Sequence, residues 1–392
     1  MAMNLDFVRS GTRLLAMGYS SNEARVFRTF HDQRLGFDCD FTPGLSAADQ
    51  RCVPSATVEV VFTDAACTEP ATWLERTHGF EPGEAVSSAT EPGAQVCPGD
   101  APLRRDAYRV GEQLSEEVIA GTPFDLFAVR DGRCQTASLP AKVTPPVYRL
   151  TPLADDELVH GERFSLNVGD GLRVTRLIAD DGAELNLGVT GADRTPCELQ
   201  RDSECVPEPI ARGASAQNGK FWTALNADCT EPAFQPPYPV ACGPAQLGVR
   251  DDGVAPPVVW RLKSASTAFS WSVLLPATDP PAYGCAPLPD TGAQGLAAPG
   301  EDVTGTLPTA SKLRRGSGPL HVDWYVAGQN VLLPVLADPR QASPGVVPIP
   351  QFVTDAGKPC TIMAADDGDE HCVVLDEEGE LASFPRVSWG AL

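Results

Sequence analysis

From Thr12 onward, apolar and polar residues alternate over short runs, LLAMGY, RVFRTFHD and ATVEVVFTD, which are broken by Gly, Ser, Asn and Asp. A period of two marks strands with one buried face, so the pattern predicts β-structure. It resumes in AYRVGEQL, FDLFAVRDGRCQTASL and PPVYRLTPL, again in GLRVTRLIADDGAELNLGV and VVWRLKSASTAFSWSVLL, and last in LHVDWYVAGQNVLLPVL. Asp131-Gly132 and Asp181-Gly182 stand between apolar runs as hairpin turns should, because Gly tolerates the positive φ of a tight turn. The Pro- and Glu-rich EPGEAVSSATEPGAQ reads as loop or edge strand, since Pro cannot donate to a central ladder. Helix is confined to a turn or two, in SAADQR and GEQLSEEV.

One stretch recurs. Phe37 to Pro70 contains FDCDF, RCVP and VEVVFTDAACTEP. TPCELQ, ECVP and KFWTALNADCTEP follow between Thr195 and Pro232, and KPCTIMAADDGDEHCVV follows between Lys358 and Val374. Corresponding cysteines lie 158 (Cys39 to Cys197) and 163 (Cys197 to Cys360) residues apart. The 392 residues therefore hold two and a half units. The expected modules are 10–75 and 76–160 in unit one, 161–236 and 237–310 in unit two, and 311–392 alone in unit three. Five modules of about four strands each suggest a five-bladed β-propeller, in which radial repetition protects the sheet edges. Tandem β-sandwich domains are the alternative, with Pro289 to Pro308 as the candidate linker.

The chain has twelve cysteines and no CxxC, which favours disulfides over zinc. Three close pairs flank polar hairpin loops: Cys39–Cys52, Cys197–Cys205 and Cys360–Cys372. Matching spans favour Cys97–Cys134 and Cys242–Cys285, which leaves Cys67–Cys229. The other assignment, Cys67–Cys97 with Cys229–Cys242, leaves Cys134 and Cys285, and spacing alone does not choose. Disulfides imply an oxidising location: extracellular, periplasmic or on the outer cell surface. The opening MAMNLDFVRSGTRLLAMGY has no apolar core of signal-peptide length, so an exported chain is expected to have shed its leader. No stretch approaches the ~18 apolar residues of a membrane span. A net charge of −22 and a pI near 4.5 oppose nucleic acid and anionic lipid as partners.

The DC and RCVP pair, the DAACTEP strand end and a companion module with YRV, GRC and VYRLTPL resemble a family of uncharacterised secreted repeat proteins from myxobacteria. In that family, such units recur along chains exported with signal or lipoprotein leaders. The resemblance covers Gly11 to about Val159 well, the second unit moderately, and the third at its hairpin. The second unit has a shortened cysteine hairpin, and the third has CTIMAADD in place of the aromatic strand. The resemblance implies export and repetition and brings no activity.

Catalytic signatures are absent: there is no GxSxG, HExxH, GxxxxGK or post-strand GxGxxG. The five histidines, His31, His78, His160, His321 and His371, are scattered. Aligning the first strands of the three units by residue type places Arg13, Arg173 and His321 together. With Asp323 and Trp324 they form a candidate ligand-binding set for a glycan or another acidic ligand. Against this stands the plainer reading of exposed alternating positions and a core indole. Asp38 and Asp323 are candidate carboxylates for a glycan hydrolase or lyase. Asp366, Asp367, Asp369 and Glu370 could offer oxygens to calcium, against a plain Asp-Gly turn. The expectation is an exported, disulfide-stapled, non-catalytic binding protein for an extracellular glycan or protein. The alternatives are a carbohydrate-active enzyme using a central pocket and a structural surface component.

Overall fold

The computed structural model describes residues 7–21, 24–43, 49–73, 82–88, 105–114, 126–130, 133–137, 147–193, 195–199, 204–208, 210–213, 215–216, 221–224, 232–235, 246–250, 257–263, 271–274, 284–287, 297–315, 320–327, 331–334, 352–354, 360–364, 370–375 and 381–392. Within them the regular secondary structure is strand, apart from one 3-10 turn at Asp155–Glu157.

The largest sheet has 13 strands. The first cysteine repeat contributes a meander, Leu14–Ser21, Ala24–Asp32, Phe37–Pro43 and Asp49–Pro54. Its last strand pairs with His160–Gly169, which opens the second repeat's run of Leu172–Ala179, Glu184–Gly191, Pro196–Leu199 and Cys205–Pro207. On the other flank, Leu14–Ser21 pairs with the C-terminal strand Leu381–Ala391, followed by Glu370–Leu375 and Thr361–Ala364 of the third repeat. Ser311–Arg315, Leu320–Ala327, Val331–Pro334 and Phe352–Thr354 form a separate four-stranded sheet. Single contacts tie that sheet to both ends of the large one. Glu204 bridges Thr309, the Cys205 amide donates to Pro308 O (2.8 Å), and the Cys360 amide donates to Phe352 O (2.9 Å). The repeats thus follow one another in a circuit joined partly by ladders and partly by single bonds.

A five-bladed propeller is not shown, because the largest sheet crosses the boundaries between the expected modules. The regions after the first and second cysteine hairpins do form sheets of their own. Strands between Thr57 and Pro152 make one of eight strands, and those between Ile210 and Asp302 make one of five and one of four.

Ladder register shows how closely the repeats correspond. Phe30 pairs with Cys39 and with Ala16, Val189 with Cys197 and Val174, and Phe352 with Val322 while accepting the Cys360 amide. This aligns Leu14, Leu172 and Leu320, then Ala16, Val174 and Val322, and all six are at most 1% exposed. Alternation sends these side chains inward. Two positions on, the inward residues are Gly18, Arg176 and Trp324. The first two repeats carry a bulge at this point, with one extra residue, Arg28 or Leu187, on the neighbouring strand.

The core gathers residues from all three repeats around Phe7. Its ring packs on Phe27 (centroids 6.2 Å) and Trp324 (5.5 Å), and its carbonyl accepts the Asn186 amide (2.9 Å). Burial of such rings is the main favourable contribution to this junction.

Candidate functional site

The four disulfides among the described residues are Cys39–Cys52, Cys197–Cys205, Cys360–Cys372 and Cys67–Cys134. The last replaces the expected Cys97–Cys134 and Cys67–Cys229. Phe62 pairs with Phe127, and Val129 with Cys134, so the sheet carries the end of the Val60–Phe62 strand to Cys134. The DAACTEP turn then presents Cys67, at φ 53. Asp64 holds this turn by accepting the amides of Thr68 and Glu69 (both 2.8 Å), and the Glu69 amide above all keeps its carboxyl below the ordinary range. Of the expected Cys242–Cys285 pair, Cys242 and the side chain of Cys285 lie outside the described residues.

The ladders do not place Arg13 in line with Arg173 and His321. By ladder register, the residue matching Arg173 and His321 is Leu15, not Arg13. Arg13 is a structural pin: it makes a bidentate pair with fully buried Asp32 (2.8 and 2.5 Å) and donates to Glu157 O (2.6 Å). Arg173 is held by Ser165 Oγ (2.9 Å) and Ser165 O (3.0 Å). Trp324 is 7% exposed against Phe7 and thus belongs to the core, and Asp323 is paired with Arg314 (2.8 Å). The side chain of His321 and residues Asp366, Asp367 and Asp369 lie outside the described residues. Among the described residues, no group of three or more His, Cys, Asp or Glu is placed to hold a metal ion.

Two polar clusters do form on the first repeat. In one, the turn after Leu153 is clamped to the meander. Arg51, 3% exposed, pairs with Asp155 and donates to Arg105 O (3.0 Å), while Arg34 donates to Glu157 O (2.7 Å). His160 bonds Asp49 through Nδ1 (3.0 Å) and the Asp155 carbonyl through Nε2 (2.9 Å). Burial lowers the imidazole pKa, but the Asp49 hydrogen bond and the Asp155 carbonyl outweigh it, and the net shift is upward. Both ring nitrogens are engaged, so His160 is not free to activate a nucleophile. In the other cluster, His31 meets Asp38 at 2.8 Å, and burial raises the Asp40 carboxyl against the opposing pull of Ser55 and Arg105.

A third arrangement is open to solvent. Tyr19 and Trp389 are directly paired across the seam between Leu14–Ser21 and the C-terminal strand, with ring centroids 4.8 Å apart and planes at 64°. Trp389 is 42% exposed, unusual for an indole on a paired strand. The Tyr19 hydroxyl bonds Glu370 (3.2 Å), and burial followed by the nearby carboxylate raises its pKa. Arg28, the bulge residue, lies over the Tyr19 ring at 5.9 Å; bulges characteristically re-aim a side chain in this way. Ser20 and Ser388 are the next pair along the ladder. Alternation turns the Ser20 and Ser388 side chains to the opposite face of the sheet, so the result is an exposed aromatic face bordered by a cation and a carboxylate. Of these residues, Glu370 was a candidate from the sequence, and for calcium. The only sequence signal for Trp389 was a Trp between Ser and Gly at the end of an alternating run.

No family model, curated protein or solved structure matches the chain.

Proposed function

We propose that the protein is an exported, non-catalytic binding protein whose ligand is a neutral glycan held at the Tyr19–Trp389 face. The observation that carries this reading is the exposed Trp389 ring packed beside Tyr19, which Arg28 covers and Glu370 hydrogen-bonds. A pyranose has an apolar C–H face that an indole covers and a rim of hydroxyls that charged side chains satisfy, so the two surfaces are complementary. The net charge of −22 favours an uncharged sugar over a uronate. The disulfides support an oxidising location. A glycan array probed with the wild type and with Trp389→Ala tests the reading. Binding to defined glycans that the substitution abolishes is expected, and an array with no Trp389-dependent signal overturns it.

One observation favours a hydrolytic reading: the Asp40 carboxyl is raised by burial and further by Asp38, which lies two residues away on the same strand face, and a carboxyl held up beside a second one suits an acid and its partner. Turnover of a glycan found on the array, lost in Asp40→Asn, would replace the binding reading.

A further inference from the structure

The geometry of the same face points to the class of glycan; this inference rests on the glycan-binding reading above. Tyr19 is already engaged. Arg28 covers its ring at 5.9 Å, Trp389 leans on it at 64°, and its hydroxyl is tied to Glu370. Trp389 is therefore the one ring here with an open face. A flat, crystalline polysaccharide chain needs coplanar rings to stack along its length, and rings inclined at 64° cannot both lie against one plane. We propose that the site takes a single pyranose ring, at the end of a soluble or branched glycan, and does not lie along a crystalline polysaccharide surface. Glu370, held at the Tyr19 hydroxyl on the same face, is the group that would orient that ring. One stacked sugar with a few solvent-exposed hydrogen bonds corresponds to a dissociation constant on the order of 1 mM, so useful retention requires several sugars displayed together.

The test has two arms on the full chain. Soluble mono-, di- and tetrasaccharides that represent the array hits are titrated by NMR, and microcrystalline cellulose and crystalline chitin are used in pull-down. Expected are saturable binding to a soluble sugar, an affinity that changes less than about threefold from disaccharide to tetrasaccharide, and loss of the signal in Trp389→Ala. Tyr19→Phe, which cuts the tie to Glu370 but keeps the ring, should weaken binding less than Trp389→Ala does. Retention on cellulose or chitin that Trp389→Ala removes, or an affinity that climbs steeply with chain length, would overturn this inference and leave the glycan reading standing. Silence in both arms would remove both.

Discussion

The first and second repeats each begin with a strand laid against the row of inward Leu residues, but the strand comes from different places. In the second repeat it is His160–Gly169, which reaches Leu172–Ala179 through a tight turn. In the first repeat it is the C-terminal strand Leu381–Ala391, laid on Leu14–Ser21 from the far end of the chain. The slot is the same, yet one seam closes locally and the other only when the termini meet. Closing the distant seam carries a larger loop-entropy cost, so it depends more on buried contacts. The first repeat is also hooked onto the second. The Asp181 carboxylate accepts the Arg13 (3.0 Å) and Leu14 (2.7 Å) amides, and a side chain at Gly11 would fall on that carboxylate.

Breaking the two seams should give unequal results. Val387 and Val168 are both 3% exposed. Val387→Asp should cost about 4 kcal/mol or more, the range for burying an unpaired charge, and should raise amide exchange throughout Leu14–Ser21. Val168→Asp should raise exchange in its own hairpin and leave Leu14–Ser21 protected. Equal exchange patterns in hydrogen-exchange mass spectrometry would refute the difference. The next largest effect should come from Asp32→Ala, which strands Arg13 beside the first strand. A loss of about 3 kcal/mol by denaturant melt is expected, and a loss under about 1 kcal/mol would mean that the pin is not structural.

Disulfide removal sharpens the contrast between local and distant closure. Cys67–Cys134 spans 67 residues and Cys197–Cys205 spans 8. If chain entropy dominates, replacing the first pair by Ser should cost about 2 kcal/mol more than replacing the second. Equal costs would show that the staples act through local packing.

The smallest effect belongs to His160, at the seam between the first two repeats. Its folded pKa is raised, so its contribution is full below the unfolded value and is lost as pH rises through the folded one. The stability gap between wild type and His160→Gln should therefore be wider near about pH 5.5 than near about pH 8.5, on either side of the ordinary histidine value. A gap that widens with pH would contradict the assignment.

What was legible in the sequence was local. Alternation marked the strands, and close cysteine pairs marked three of the staples, because both depend on neighbours along the chain. The candidate site was not legible, and the reason is specific. Aligning basic residues put Arg13 where the ladder puts Leu15. The offset is two residues, which is the period of the strand, so the inward-outward pattern is identical in either alignment and cannot reveal the slip. In the same way, Trp324 and Trp389 both sit in alternating runs. Alternation shows that a strand has two faces and does not say which one meets Phe7 and which meets water.

By itself, then, the sequence determined an all-β, repeated, disulfide-bonded chain and the three hairpin cystines. Only the tertiary structure decided that Cys67 meets Cys134, that the C-terminal strand completes the first repeat, that Arg13 is a pin, and that Trp389 is the open aromatic. Each of these depends on which distant strand lies alongside, and that choice is made by the shared packing of the core, to which residues far apart in the chain contribute together.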